Sequence, residues 1–211
     1  MERFRKIRSF FRAKRAIQYY DRESYFHSIY SHYNYLENQI LNVEKVKDIV
    51  ITKRRIRFGF DLEFGLRSKQ ILDKLGNPYF TYSNRSIPEY TIYFFKRKVY
   101  KYKMKVEVHF FKDVFFMGIY TFDVSKDEAK AIMEDICTKY QLELGSFFHQ
   151  KNKIVDQIGN TLDIDFKLNL VVAYIDGNNK EIEQLRNRYN ENIKIIERKK
   201  TGAFQKFYEL L

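Results

Sequence analysis

At 211 residues the chain can form one sizeable domain or two small ones, and 45% apolar residues with 17 Tyr and 20 Phe supply an aromatic-rich core. One Cys, four Met and four His exclude a disulfide framework and leave too few thiolates and imidazoles for a structural zinc or iron–sulfur centre, so no cofactor is expected. The formal charge of +12 favours polyanions, and it is uneven: residues 1–60 carry fourteen Lys or Arg against six acids, the remainder twenty-five against twenty-one.

No run of about 18 apolar residues is present, which excludes a transmembrane helix. The opening MERFRKIRSFFRAKRAI lacks the apolar core of a secretory signal, so a cytoplasmic location is expected. Residues 1–20 read as a basic arm or helix. Phe4, Ile7 and Phe11 share a face, and Arg3, Arg5, Lys6, Arg8, Arg12, Lys14 and Arg15 surround it. Such a segment suits nucleic-acid phosphates, an anionic membrane surface, a protein partner, or docking on its own domain. Asp21–Leu41 follows as a helix, with Phe26, Ile29, Tyr33, Leu36 and Ile40 at three- and four-residue intervals. His27 and His32 are five apart, off a common helical edge and without a third ligand, so they do not make a metal site.

Val43–Thr52 ends as a short strand. In Arg54–Gly65 the residues Ile56, Phe58, Phe60, Leu62 and Phe64 alternate with polar or small ones, which predicts another strand. Asp61 and Glu63 then project from one face about 7 Å apart, a spacing compatible with a hydrolase carboxylate pair or a divalent-ion site, and equally with a solvated strand. Ser68 is placed to cap a short helix carrying Ile71, Leu72 and Leu75, with Gly76 in the left-handed position after it and Pro78 preventing its continuation. This glycine ends a helix and does not begin one, so no phosphate loop is formed. Tyr79–Tyr90 reads as a loop or irregular edge strand.

Tyr90–Tyr140 is the structural centre. In YKYKMKVEVHF, Tyr100, Tyr102, Met104, Val106, Val108 and Phe110 take one side of a strand, and Lys101, Lys103, Lys105, Glu107 and His109 take the other, predicted to be wet. Lys96, Arg97 and Lys98 extend the basic character upstream. Lysine and tyrosine interleave as on single-strand nucleic-acid surfaces, yet the period of two sends them to opposite faces. Lysines on an edge strand also block unwanted sheet extension. Lys112-Asp113 turns the chain into Val114–Phe122. Ser125 and Glu128 then form a capping box for a helix whose stripe is Ala129, Ile132, Met133, Ile136 and Tyr140. Cys137 sits beside that stripe as a packed small residue.

Leu142–Phe148 and Asn152–Ile158 read as short strands, as do Leu162–Leu168 and the LNLVVAYI segment. Asp163 and Asp165 repeat the paired-carboxylate pattern of Asp61 and Glu63, and the four would hold a cation only if their strands were neighbours. Asp176-Gly177 turns into a last helix. Asn178 and Glu181 are placed to cap it, Ile182, Leu185, Tyr189, Ile193 and Ile196 form its stripe, and Gly202 is placed to end it. The apolar tail AFQKFYELL is expected to dock on the core or on another subunit.

The predicted architecture is an α+β fold, an antiparallel sheet with helices mainly on one face. A basic arm over 1–20 precedes a single domain over 21–211, or two related units dividing near 141/142. No catalytic triad, metal motif or nucleotide motif assembles. The expected function is therefore a non-catalytic interaction or adaptor protein, with a protein partner or self-association. A basic nucleic-acid-binding protein is the alternative, and a hydrolase using the four carboxylates is the third reading.

Overall fold

The computed structural model describes residues 48–60, 62–84, 87–142, 152–166 and 169–208. The expected arm over 1–20, the helix over 21–41 and all but Leu142 of the strand over 142–148 lie outside the described residues. The elements in chain order are β1 (Asp48–Thr52), α1 (Ser68–Leu75), β2 (Phe80–Ser83), β3 (Tyr90–Val99), β4 (Tyr102–Phe111), β5 (Val114–Phe122), α2 (Lys126–Tyr140), β6 (Asn152–Asp156), β7 (Thr161–Phe166), β8 (Leu170–Ile175) and α3 (Lys180–Tyr208). The strands make one eight-stranded sheet in the order β1-β6-β7-β8-β5-β4-β3-β2. Every neighbouring pair is antiparallel except β1 with β6. Strands from both sides of residue 141 share this sheet.

The fold is α+β, as the sequence predicts, but its helices do not gather on one face as expected: α3 covers one side of the sheet, and α1 and α2 cover the other. Val106, Val108, Phe110, Phe115, Tyr120, Val172 and Tyr174 project to that face and are covered by Ile71 of α1 and by Ala129, Met133 and Tyr140 of α2. The capping box at Ser125 forms as expected: the Glu128 N–H donates to Ser125 Oγ at 3.4 Å, and the Ser125 N–H donates to Glu128 Oε2 at 3.1 Å. The opposite face is covered by α3, whose Leu185 is buried among Ile92, Phe94, Met117, Ile119 and Ala173. Lys112 fixes that helix: its Nζ lies 2.9 Å from Glu181 Oε2 and donates to Gln184 Oε1 at 2.6 Å. The turn supplying Lys112 is the predicted one, with Lys112 and Asp113 both at positive φ (50° and 64°), as a two-residue hairpin requires.

Three local expectations are corrected. The alternating segment 54–65 is not a strand. It is an irregular segment laid across the α1/α2 face, turning at Phe60 (φ 62°), with Ile56, Phe58 and Leu62 buried. Its amides bond to side chains and to one strand end instead of a ladder: Ile56 to Asp156 Oδ2 at 2.8 Å, Gly59 to Tyr120 Oη at 3.0 Å, and Gly65 to the Phe115 carbonyl at 2.8 Å. Alternating apolar residues report which side chains are buried and not that the backbone pairs in a ladder, which is why the pattern misleads. Ser68 is the first residue of α1, and the cap falls on Arg67, whose N–H donates to Gln70 Oε1 at 2.8 Å. Helix α3, by contrast, starts one residue later than predicted, with Asn179 Oδ1 accepting from the Glu181 N–H at 2.9 Å, and it runs through Gly202 to Tyr208.

The irregular segment depends on one glycine. Phe58 stacks on Tyr120 with ring centroids 4.6 Å apart and planes at 10°. It crosses directly over Gly118, where a Cβ would sit 2.4 Å from the Phe58 ring. Gly118→Ala is therefore expected to displace Phe58 and lower unfolding free energy by about 1–3 kcal/mol, read as a lower urea midpoint at unchanged slope. An unchanged midpoint would show that Phe58 packs elsewhere in solution.

Candidate functional site

The hairpin of β3 and β4 carries the basic run that the sequence singles out. Its register sets Lys96 opposite Lys105 and Lys98 opposite Lys103. All four lie on the face shared by Phe94 and Glu107. Directly opposed Cβ atoms in such a pair stand roughly 4.5–5.5 Å apart, and same-face neighbours along a strand roughly 6.5–7 Å. Four ammonium groups thus spring from one small rectangle. Lys96, Lys98 and Lys103 are exposed and Lys105 is half-buried. Lys105 is neutralised by Glu107 at 2.8 Å, and Lys96 Nζ lies 4.9 Å from the centre of the Tyr79 ring.

The other two cations of the run are committed to helices. Arg97 projects to the opposite face, where its guanidinium donates to the Leu75 carbonyl at the end of α1. Lys101 Nζ lies 3.2 Å from Glu128 Oε1 at the start of α2. These two contacts hold the hairpin against the helical layer and leave the lysine rectangle on the side away from it.

Tyr100 was expected in the inward row and is instead the outermost residue of the hairpin, 90% exposed with φ 52°. The two-residue turn Tyr100-Lys101 takes it out of the pleat, since pairing closes at Val99 opposite Tyr102. A bulky residue at positive φ is an uncommon conformation that costs free energy, and such positions concentrate at functional sites.

The wet face predicted for β4 is wet only at this end. Glu107 is 1% exposed and His109 0%. They lie in a buried polar chain with Tyr90, whose hydroxyl is 2.6 Å from His109 Nδ1. His109 Nε2 lies 3.4 Å from Glu107 Oε2, longer than the contacts at either end of the chain. A Tyr90 hydroxyl donating to Nδ1 and a proton on Nε2 facing the carboxylate would satisfy all three groups with a neutral imidazole. Burial lowers the His109 pKa below the ordinary 6.5, and Glu107 offsets part of that. Burial works to raise Glu107, but the His109 contact and the Lys105 charge outweigh it and hold the carboxyl below its ordinary 4.5. Burial and the Glu107 charge push the Tyr90 phenol well above its ordinary value. The expectation failed because a second apolar layer, from α3, covers this face. The Ile182, Leu185, Tyr189 stripe was the signal that could have revealed it.

Among the described residues, Glu63, Asp163 and Asp165 do not assemble. Asp61 and the arm residues Arg3, Arg5, Lys6, Arg8, Arg12, Lys14 and Arg15 lie outside the described residues. Glu63 is exposed on the irregular segment over the α1/α2 face. Asp163 and Asp165 project from β7 to the α3 face, Asp163 buried opposite Lys153 and Asp165 half-buried. Among the described residues no three His, Cys, Asp or Glu side chains are grouped to hold a metal ion, and no helix is long and apolar enough to cross a membrane. Cys137 is buried, which raises its thiol pKa and opposes nucleophilic use. Comparison with protein-family models, with curated proteins and with solved structures gives no match to this chain.

Both depressed pKa values act on stability in the same direction. The unfolded chain takes up a proton near pH 6.5 that the folded His109 refuses, and Glu107 does likewise near pH 4.5. The contribution is whole above the unfolded values and is lost as pH falls through them. The urea midpoint is expected to drop between about pH 7.5 and about pH 5.5, and His109→Gln to flatten that drop. Equal drops in both proteins would place the titrating group elsewhere, among His27, His32 and His149 outside the described residues.

Proposed function

We propose that this is a non-catalytic binding protein that docks on nucleic acid through the β3–β4 hairpin. The carrying observation is the lysine rectangle at Lys96, Lys98, Lys103 and Lys105. Like charges set directly opposite one another disfavour strand pairing, and a polyanion laid across them removes that repulsion while releasing counterions. Tyr100 adds what the lysine face lacks, an exposed aromatic ring on which an unpaired base can stack. The conflict read from the strand, tyrosines on one side and lysines on the other, therefore does not extend to the tip. The support beneath is stiff. Arg97 and Lys101 are tied to α1 and α2, and Lys105 rests on a buried carboxylate.

The test is fluorescence anisotropy with a labelled single-stranded oligonucleotide and its duplex over a salt series. Three phosphate contacts on a single strand, from Lys96, Lys98 and Lys103, predict a slope of log affinity against log salt near −2, at roughly −0.7 per contact. Lys98→Glu with Lys103→Glu is expected to weaken binding at least about tenfold (near 1.4 kcal/mol) without lowering Tm. Tyr100→Ala is expected to weaken the single strand by about 1–3 kcal/mol and the duplex less. No binding at low salt, or full binding by the double charge reversal, overturns the reading. Capture by phosphatidylserine vesicles with none by oligonucleotides would assign the hairpin to membranes instead.

A further inference from the structure

The sheet ends on one side at β1, whose outer hydrogen-bonding edge has no strand beside it among the described residues. The strand reads DIVIT and holds neither lysine nor proline, the residues that commonly keep an edge from pairing. Ile49 and Ile51 are 60% and 75% exposed, whereas Thr52 is buried and its hydroxyl donates to the Tyr140 carbonyl at 2.7 Å, at the end of α2. Alternation therefore turns Val50 and Thr52 toward the α1/α2 layer and the two isoleucines to the other face, outside the cover that α3 provides. An open edge of β-branched residues with two bare isoleucines is a surface that one more strand can cover. Main-chain bonds then supply the attraction, and alternate side chains select the partner.

The residues after β1 state the charge of that partner. Lys53, Arg54, Arg55 and Arg57 are all exposed. The backbone that carries them is fastened beside the end of the strand. The Arg54 N–H donates to Thr52 Oγ1 at 3.1 Å, and the Ile56 N–H donates at 2.8 Å to Oδ2 of Asp156, the residue paired with Thr52 in the β1–β6 register. Three carboxylates stand near. Asp156 is buried and bonded by three amides, Asp176 is half-buried and accepts from the Asn178 N–H, and Glu63 is exposed in a recess of about 130 Å³ shared with Arg55 and Arg57. Four exposed cations against one exposed carboxylate leave this surface positive. The cavity of about 470 Å³ between β6–β8 and the start of α3 carries no such excess. Lys180 and Arg186 meet Asp176 and Glu183 on its walls, and Lys153 stands opposite Asp163 in the β6–β7 pair.

We infer that the outer edge of β1 binds an acidic peptide in extended conformation, added to the eight strands as a ninth. Its aliphatic side chains, at alternate positions, cover Ile49 and Ile51, and its carboxylates meet Lys53, Arg54, Arg55 and Arg57. A second copy of the chain fits less well. An antiparallel pair of β1 strands centred on Val50 would bring Lys53 of one copy toward Lys47 of the other and Arg55 toward Lys45, opposing like charges at both ends. Single-stranded nucleic acid would meet the cations and leave the isoleucines and the unpaired main chain uncovered. Four strands separate β1 from β4, so this surface and the hairpin are distinct.

The test is fluorescence anisotropy on the full chain with the labelled peptide EEDVTVTV, which is expected to bind saturably with Kd below about 100 μM. Its uncharged counterpart QQNVTVTV is expected to bind at least about tenfold more weakly. EEDVPPTV is expected not to bind, because successive residues turn their N–H groups to opposite edges and one of the two prolines must remove a donor facing β1. Ile51→Lys, at an exposed position, and Arg54→Glu with Arg55→Glu are each expected to weaken EEDVTVTV at least about tenfold at unchanged Tm. Lys98→Glu with Lys103→Glu is expected to leave it unchanged, so failure here is separable from failure of the hairpin reading. No saturable binding of EEDVTVTV, equal binding of either control peptide, or full affinity in either edge variant overturns the inference. A dimer that Ile51→Lys dissociates would assign the edge to a second copy, and oligonucleotide binding lost only with Arg54→Glu and Arg55→Glu would assign the cations to nucleic acid; either result also overturns it.

Discussion

A carboxylate in the middle of a sheet covered on both faces has to be neutralised by groups within reach of its own strand. Glu107 meets that constraint with residues two before and two after it, Lys105 and His109, which the strand period sets on its own face. Removing one partner from a buried charged group typically costs about 3–5 kcal/mol, so this row is among the least replaceable parts of the sheet. It also decides what the hairpin can offer. Lys105 is drawn inward and spends its charge on the core, while Lys96, Lys98 and Lys103 remain exposed beyond the apolar cover.

The two covering layers follow from the same geometry. On one side the aromatic residues of β5 need partners, and the chain supplies them with an irregular segment as well as with helices. Phe58 over Gly118 and Tyr120 is the contact, and Asp156 is the fastening. Its carboxylate accepts from the amides of Ile56, Ile158 and Asn160, joining that segment to the β6–β7 turn. Asn160 continues the link, donating to the Ile56 carbonyl and accepting from Gly177. One polar cluster thus sets both the path of that segment and the rim of the cavity. On the other side α3 is seated by Leu185 and held by Lys112, so the turn between β4 and β5 positions the helix that buries Glu107.

Much of the sheet was legible because its signals are local. The alternation in β4, the positive-φ turn at Lys112-Asp113 and the Ser125–Glu128 box each lie within a few residues and report the backbone directly. What could not be read depended on who covers whom. Glu107 and His109 look solvated until a helix starting more than 70 residues later is placed over them, and no pattern within the strand carries that information. The segment around Phe58 alternates as a strand does, because period two records which side chains are buried and not whether the backbone pairs. Gly202 interrupts the expected pattern of α3 without stopping it; a single glycine lowers helix propensity by about 1 kcal/mol relative to Ala, too little to end a long helix unaided. The carboxylate pairs were visible as pairs, but their faces were not, and Glu63 and Asp163 belong to opposite sides of the sheet.

The same limit separates the hairpin from the cavity at the start of α3. Three lysines of the hairpin rectangle fall within eight residues, so the sequence displays the surface and only the burial of Lys105 needs the fold. The cavity draws Lys153, Thr161, Lys180 and Arg186 from three elements whose neighbours are set by sheet order, and no stretch of sequence shows it. Their chemistry differs accordingly. A row of exposed cations on a rigid hairpin reads charge density along a polymer and is weakened by salt. The cavity instead mixes cations with carboxylates, and its Lys153 stands opposite Asp163 in the β6–β7 pair. The cations that follow β1 fall between the two cases, adjacent in sequence but set beside the strand by Asp156. Because the hairpin is held by Arg97 and Lys101, occupation of one surface requires no movement of the other.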